Sequence, residues 1–209
     1  MTQRIVIADG AADTAQVAAF ERDRRELLRR GFALGGAAIA ASSIPLLLSA
    51  RNAFAQATGD AAILERAITL ERLTALTYAG AIDGGLLSAP VLRTVRRLRE
   101  HEQAHADALV TALMDLGGIP PAPPKGVADV DKVVKGLRDV RSQADAVNFA
   151  IELETAVVAA YHDAHAKLVE TRLLQTAASI MASEGQHLVV LRTAVDEDPV
   201  PNALETGES

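Results

Sequence analysis

The chain has 209 residues, 49% of them apolar and 3% aromatic, and a formal net charge of −6 at pH 7. The negative charge argues against a nucleic-acid partner, and the absence of cysteine excludes disulfides, iron–sulfur clusters, thiolate zinc sites and cysteine nucleophiles. Alanine and leucine, which are strong helix formers, are prominent among the apolar residues, so the composition predicts an all-α protein.

Residues 1–55 are predicted to be an export signal. A basic stretch from Arg24 to Arg30 precedes an uncharged stretch, residues 31–50, and residues 53–55 read Ala-Phe-Ala, the small-residue pattern of a cleavage site. This order is that of a secretory signal peptide, and the paired arginines resemble the twin-arginine signal. We therefore expect the twin-arginine export machinery as a partner and a periplasmic or other extracytoplasmic location in the cell envelope.

An uncleaved membrane anchor is the alternative for this segment, since the 20 residues 31–50 are just long enough to span a bilayer. Their glycines, serines and proline make them weakly hydrophobic, which favours cleavage, so membrane contact is expected only if the signal is retained. Of the 21 basic and 27 acidic residues of the chain, seven and five lie in residues 1–55. The remaining domain therefore has a net charge of −8 and is expected to be soluble.

Four helices are predicted after residue 59, at about 61–82, 89–116, 142–169 and 171–195. Asp60 and Ser88 are the expected N-caps of the first two helices. Glycine pairs at 84–85 and 117–118 end these two helices. The third helix starts at Ser142 or Asp145, and no glycine or proline separates it from the fourth.

The connection between the second and third helices is long. Its prolines keep residues 119–124 extended, because proline cannot continue a helix, and residues 129–140 are expected to hold a helical turn or two. Two hairpins joined by a long crossover are typical of one class of four-helix bundles. We assign residues 56–195 to this bundle and expect the polar residues 196–209 to be a disordered tail.

The two predicted hairpins repeat one motif. In each, an Ile-x-Leu-Glu segment is followed seven residues later by a tyrosine, Tyr78 or Tyr161, and about thirty residues later by Glu-x-x-His. The repeated acidic and histidine positions are Glu71, Glu102 and His105 in the first hairpin and Glu154, Glu184 and His187 in the second. The match suggests a duplicated hairpin that contributes the same side chains twice.

The spacing of this motif brings the six side chains together. Residues i and i+3 lie on one face of a helix, so the glutamate and histidine of each Glu-x-x-His can bind one ion. Two hairpins about a pseudo-two-fold axis place four carboxylates and two imidazoles at one level of the core. Burial of four carboxylates would cost several kcal/mol each without cations, and this ligand set suits iron or manganese better than magnesium.

From about Asp60 to Val195 the chain resembles the ferritin-like superfamily, most closely the exported bacterial ferritin-like domain proteins. The resemblance implies a dinuclear centre of two Fe or two Mn ions, with His105 and His187 as terminal ligands. Bridging carboxylates would be Glu102 and Glu184, and the end caps would be Glu71 and Glu154. It further implies redox chemistry with oxygen, peroxide or superoxide, of ferroxidase, peroxidase or catalase type, and leaves open assembly into a homo-oligomer or storage cage.

Two other functions are compatible with the sequence. The segment from His101 to His105 reads His-Glu-x-x-His, the zinc metalloprotease motif, in which both histidines bind zinc and Glu102 is the general base. That interpretation leaves Glu71, Glu154, Glu184 and His187 unexplained, and Ser183 stands where the repeat would need the first histidine. The second alternative is a non-catalytic exported bundle, associated with stress or the envelope, whose metal is structural or whose site is unused.

The remaining aromatic and histidine residues are given structural interpretations. Tyr78 and Tyr161 lie two helical turns beyond Glu71 and Glu154, so they could contact the ligands or be redox-active, but we favour ordinary interior aromatics. His101 is interpreted as a surface residue or as a contact of the ligands. His162 and His165 are interpreted as structural or exposed.

Overall fold

The computed structural model describes residues 7–8, 11–12, 52, 54, 56–126 and 137–207. Nearly all of the predicted signal peptide therefore lies outside the described residues. The chain divides into two compact units, residues 1–35 and 36–209. In the first unit, strand β1 (Ile7–Ala8) pairs antiparallel with strand β2 (Ala11–Ala12). None of the described helices is long and apolar enough to cross a membrane.

The second unit contains four long helices. They are α1 (Asp60–Asp83), α2 (Ala89–Asp115), α3 (Gln143–His165) and α4 (Thr171–Ala194). Helix α1 packs mainly on α2 and α3 mainly on α4, and smaller contacts join α1 to α3 and α2 to α4. The predicted all-α bundle of two hairpins is confirmed.

The long connection between the hairpins is anchored to α1. Residues 119–125 have no regular structure, as expected for a proline-rich segment, and the Arg72 guanidinium donates a hydrogen bond of 2.5 Å to the Pro121 carbonyl. A single 3₁₀ turn, Leu137–Asp139, precedes α3. Residues 127–136, which cover most of the segment where a helical turn is predicted, lie outside the described residues.

Asp60 does not cap α1, contrary to the prediction. Gly59 is the N-cap residue, and Asp60 is the first residue of the helix. The Asp60 carboxylate instead accepts hydrogen bonds of 3.0 Å from the N–H groups of Val169 and Glu170, in the turn between α3 and α4. The side chain of Glu170 in turn accepts from the N–H of Leu173 and caps α4. These contacts separate α3 from α4 although no glycine or proline lies between them.

The other predicted helix boundaries agree closely with the structure. Ser88 and Ser142 are the N-cap residues of α2 and α3, and the Ser142 hydroxyl accepts from the N–H of Asp145 at 3.1 Å. Gly117 follows the end of helix α2, and its φ of 77° favours glycine. The N–H groups of Gly117 and Gly118 bond the carbonyls of Met114 and Leu113, which is the Schellman pattern of a helix end.

A large apolar cluster fills one end of the bundle. It joins residues from all four helices with Phe54, which lies within the predicted signal peptide. The Phe54 side chain is 1% exposed, and its carbonyl accepts a 2.7 Å hydrogen bond from Lys167 Nζ. A residue before the predicted cleavage position is therefore part of the packed core.

The segment after α4 contacts the bundle through two features, although the sequence predicts disorder there. Arg192 of α4 forms a 2.8 Å ion pair with Glu205. Gly207, with φ 70°, lies so close to α3 that a Cβ would come within 2.4 Å of the Ala159 backbone nitrogen. Only glycine fits that position without a shift of the backbone.

Candidate metal centre

The six predicted ligands converge in the middle of the bundle. Each lies in the interior of a helix rather than at its end, so its backbone position is fixed by regular helical bonding. The four carboxylates have no solvent exposure; they are Glu71, Glu102, Glu154 and Glu184. The two histidines lie on α2 and α4, and both turn their Nδ1 atoms toward the carboxylates.

The first group of donor atoms surrounds His187. Its Nδ1 lies 2.8 Å from Glu184 Oε2, 3.0 Å from Glu102 Oε1 and 3.3 Å from Glu154 Oε1. All four residues are buried. They come from three helices, α2, α3 and α4, so this group exists only when the two hairpins are packed together.

The second group surrounds His105. Its Nδ1 lies 2.9 Å from Glu184 Oε1, 3.6 Å from Glu71 Oε2 and 3.7 Å from Glu102 Oε2. This group draws on α1, α2 and α4. The His105 side chain is 13% exposed, whereas that of His187 is 2% exposed.

Glu102 and Glu184 belong to both groups, and each can offer one oxygen to either side. Within each group the donor atoms lie within 4.8 Å of one another. Most of these buried atoms have no hydrogen-bond partner of suitable geometry: Glu71 Oε2, Glu102 Oε1 and Oε2, His105 Nδ1, Glu154 Oε2, Glu184 Oε1 and Oε2, and His187 Nδ1. Buried polar atoms are rarely left unpaired, so the arrangement fits two cations held between them.

The pKa shifts of the cluster residues also indicate that this site favours positive charge. Burial, opposed only in part by the nearby histidines, raises the pKa of Glu102 well above its ordinary value and that of Glu154 to about 7. Burial alone would lower the pKa of His187, but the nearby carboxylates of Glu102, Glu154 and Glu184 raise it to about 12. The nearby carboxylates of Glu102, Glu184 and Glu71 likewise raise the pKa of His105 to about 12. Without a bound metal, these shifts favour protonated histidines among the carboxylates.

The two tyrosines contact the cluster directly, so the favoured interpretation as ordinary interior aromatics was wrong. The Tyr161 hydroxyl donates a 2.5 Å hydrogen bond to Glu71, and the Tyr78 hydroxyl donates to Glu154. Each bond joins α1 to α3, and the pairing runs in opposite directions along the two helices, which are therefore antiparallel. Burial and the adjacent carboxylates raise the pKa of both hydroxyls well above the ordinary value.

A family model described as the ferritin-like domain matches residues 59–197, which is more than half of the chain. The chain belongs to this family. Searches of the curated proteins and of the solved structures gave no significant match. The predicted resemblance to the ferritin-like superfamily is confirmed, and the Glu/His cluster makes the protein a candidate metal protein of that family.

His101 packs against the cluster of glutamate and histidine donors rather than lying at the surface of α2. Its Nδ1 is 2.9 Å from His187 Nε2, and the two ring centroids are 5.2 Å apart with an angle of 22° between the planes. Burial and the two neighbouring imidazoles lower the pKa of His101. Neither donor group includes His101, which does not favour the zinc site that the His-Glu-x-x-His motif would need.

The two histidines of α3 lie apart from the donor groups of the ferritin-like domain. His162 is 53% exposed and 4.0 Å from Asp163. His165 is partly buried, and its Nδ1 bonds the Tyr161 carbonyl at 2.7 Å. Their interpretation as structural or exposed residues agrees with these positions.

An apolar cavity of about 280 Å³ lies between the end of α1 and the start of α3, next to the donor cluster. Tyr78, Leu86, Phe149 and Ala150 are among its lining residues. Because the Tyr78 hydroxyl bonds Glu154, the tyrosine ring separates the cavity from the carboxylates. The cavity was not foreseen from the sequence, since it depends on how α1 and α3 pack.

Proposed function

We propose that this protein is a dinuclear iron or manganese carboxylate protein that reacts with a small oxidant, either oxygen or a peroxide. One observation carries the proposal: two groups of four donors share Glu102 and Glu184, and most of their buried oxygens and their two Nδ1 atoms lack other partners. Hard carboxylate oxygens with one imidazole per group suit iron or manganese, and the chain has no cysteine for softer metals.

The six donor residues would have the following roles. His187 and Glu154 would hold one ion, His105 and Glu71 the other, and Glu102 and Glu184 would contact both. A bound pair of such ions would supply reversible one- or two-electron redox chemistry. The protein's own contribution is to exclude water from the four buried carboxylates.

Burial limits the size of the substrate. With the four carboxylates fully covered and only His105 partly exposed, a polypeptide or sugar cannot reach the donor atoms. An oxidant as small as oxygen or hydrogen peroxide is compatible with this burial. The apolar cavity on the other side of the Tyr78 ring would hold apolar oxygen more readily than a charged molecule.

A location in the cell envelope belongs to the proposal and rests on the sequence of residues 1–55. The basic stretch, uncharged stretch and small-residue site support twin-arginine export. Because that route carries folded proteins, the metal could be inserted before export. The N-terminal sequence of the protein recovered from the envelope would test both the location and the cleavage position.

Metal analysis of the purified full chain is the first test. We expect about two Fe or Mn ions per chain after reconstitution with either metal, and loss of both on replacement of Glu102 by Ala. Stoichiometric zinc together with peptidase activity would instead support the metalloprotease alternative. A chain that binds none of these metals would contradict the proposal.

The reaction itself is tested by stopped-flow mixing of the loaded protein with hydrogen peroxide, and of the Fe(II) protein with oxygen. We expect absorbance changes at a rate that depends on the oxidant concentration in one of the two experiments. The metal-free control is the Glu184→Gln variant taken through the same loading, since it is expected to hold neither ion. A protein that holds two ions but reacts with neither oxidant would support the non-catalytic bundle instead.

A further inference from the structure

The two nitrogens of His187 face in different directions. Nδ1 points into the carboxylate cluster, within 2.8 to 3.3 Å of three glutamates. Nε2 lies on the opposite side of the ring, 2.9 Å from His101 Nδ1. The Ser183 hydroxyl is also near Nε2, but at 3.4 Å it is a longer contact.

Metal binding would fix the proton positions in this pair of rings. A neutral imidazole carries one proton, so Nε2 of His187 must hold it whenever Nδ1 offers its lone pair to a cation. That N–H points at His101 Nδ1, which must then accept the hydrogen bond. Partners of this kind orient metal-binding histidines and increase their basicity.

We propose that His101 is a positioning residue for the ion held by His187. By accepting the hydrogen bond from His187 Nε2–H, it selects Nδ1 as the metal-binding nitrogen and holds the ring toward Glu102, Glu154 and Glu184. The inference deepens the dinuclear site proposed above and rests on it. It assigns to the first histidine of the His-Glu-x-x-His segment a role other than zinc ligation.

The repeat shows that this partner exists on one side only. Ser183 precedes Glu184 just as His101 precedes Glu102, so the repeat has a serine at the position equivalent to His101. That serine lies near His187 Nε2 and not against His105. Within the part of the chain that the structure describes, His105 Nε2 makes no hydrogen bond. The His187 position is therefore both more buried and better oriented, and it should bind its ion more tightly than the His105 position.

Titration of the metal-free full chain with Mn(II), followed by electron paramagnetic resonance, tests the proposal. We expect two unequal binding steps in the wild type. The substitution His101→Ala should weaken the tighter step by about 10- to 100-fold, the usual effect of losing such a partner, and leave the weaker step unchanged. His101→Gln, whose amide oxygen can accept the same hydrogen bond, should restore most of the affinity.

Single-site backgrounds assign the effect to one ion. With Glu71→Gln the His187 group is intact, and adding His101→Ala should weaken its binding of Mn(II). With Glu154→Gln the His105 group is intact, and the same addition should change nothing. His162→Ala, which removes an exposed histidine that belongs to neither donor group, is the matched control. Equal weakening in both backgrounds, or none in either, would overturn the proposal.

A spectroscopic measurement distinguishes positioning from a general effect on the fold. In the Zn(II)-loaded protein labelled with ¹⁵N-histidine, the His187 Nε2–H should give a protected resonance that is lost in His101→Ala and kept in His101→Gln. Wild-type protein that binds neither Mn(II) nor Fe(II) would refute the dinuclear site itself. Binding of two ions with affinities that do not change in His101→Ala would refute this inference alone.

Discussion

The two hairpins of the bundle carry the same donors in the same order, yet their histidines lie in different surroundings. His187 is 2% exposed and contacts His101 through Nε2, whereas His105 is 13% exposed, and the repeat has Ser183 at the position equivalent to His101. The carboxylates, by contrast, are equally buried in both halves. The duplicated motif determines which atoms face the centre of the bundle. Single residue differences next to the motif, such as His101 against Ser183, make the two ion positions unequal.

The largest expected effect comes from the glutamates that the two donor groups share. Replacing Glu102 or Glu184 by Gln removes a ligand from both groups, so we expect bound Fe or Mn to fall from about two per chain to near zero. Replacing Glu71 or Glu154 by Gln removes a ligand from one group only, and one ion should remain. Elemental analysis after reconstitution distinguishes these outcomes.

The control for this series is Glu152→Gln, because Glu152 lies two residues from Glu154 but belongs to neither donor group. It should keep both ions. If Glu102→Gln retained one ion, the shared position of Glu102 would be wrong. All variants should keep their helical circular dichroism, since an amide of the same shape relieves rather than creates buried charge.

The donors of the site were predictable from the sequence because helical periodicity fixes them. Two Glu-x-x-His segments at matched distances from Glu71 and Glu154 place six side chains on inward faces without any knowledge of tertiary contacts. The four helices were predictable for the same reason, and their ends agree within a few residues with glycine or capping signals.

Contacts between distant residues were not predictable. Asp60 reads as an N-cap, but its carboxylate bonds the turn before α4, some 110 residues later in the chain. The Tyr78–Glu154 and Tyr161–Glu71 bonds depend on the antiparallel register of α1 and α3, which periodicity does not give. The only sequence signal was that both tyrosines occupy the same place in the repeat.

The flanks of the two hairpins give a second contrast. Phe54, before the first hairpin, is buried in the core, whereas Glu205, after the second, makes a partly exposed ion pair with Arg192. We expect Phe54→Ala to lower the free energy of unfolding by about 3–5 kcal/mol, as for other buried phenylalanines. Glu205→Ala should lower it by about 1 kcal/mol or less.

Urea denaturation of the full chain measures both values, with exposed Leu204→Ala as a control that should change little. A chain that starts at Gln56 also lacks Phe54 and should show a similar loss. Equal stability of that chain and the full chain would mean that the Phe54 contact contributes nothing, and the measurement therefore bears on the consequences of cleavage after Ala55.

The dependence of metal affinity on pH should separate the two donor groups. Without metal, the carboxylates raise the pKa of both His105 and His187 to about 12, so each imidazole must lose a proton when an ion binds. Affinity should therefore fall as the pH falls, by about tenfold per pH unit for each proton released. Glu154, with a pKa of about 7, belongs only to the His187 group, which should lose affinity more steeply below pH 7.

Calorimetric titration with Mn(II) in buffers of different ionisation enthalpy counts the protons released at each step. We expect at least one per ion at pH 8. The Glu154→Gln variant keeps only the His105 group, so its metal affinity should not fall more steeply below pH 7 than above it. Affinity that does not change between pH 6 and pH 8 would contradict these protonation states.

The smallest expected effect concerns the tyrosines, which cross from one hairpin to the other. Tyr78→Phe removes the donor to Glu154, and Tyr161→Phe the donor to Glu71. Loss of such a hydrogen bond should change affinity by about 1 kcal/mol, or roughly fivefold. Because each tyrosine contacts one unshared glutamate, Tyr78→Phe should affect only the Mn(II) step of the His187 group, and Tyr161→Phe only the other step. If either variant changed both Mn(II) binding steps, the two ion positions would not be independent of each other.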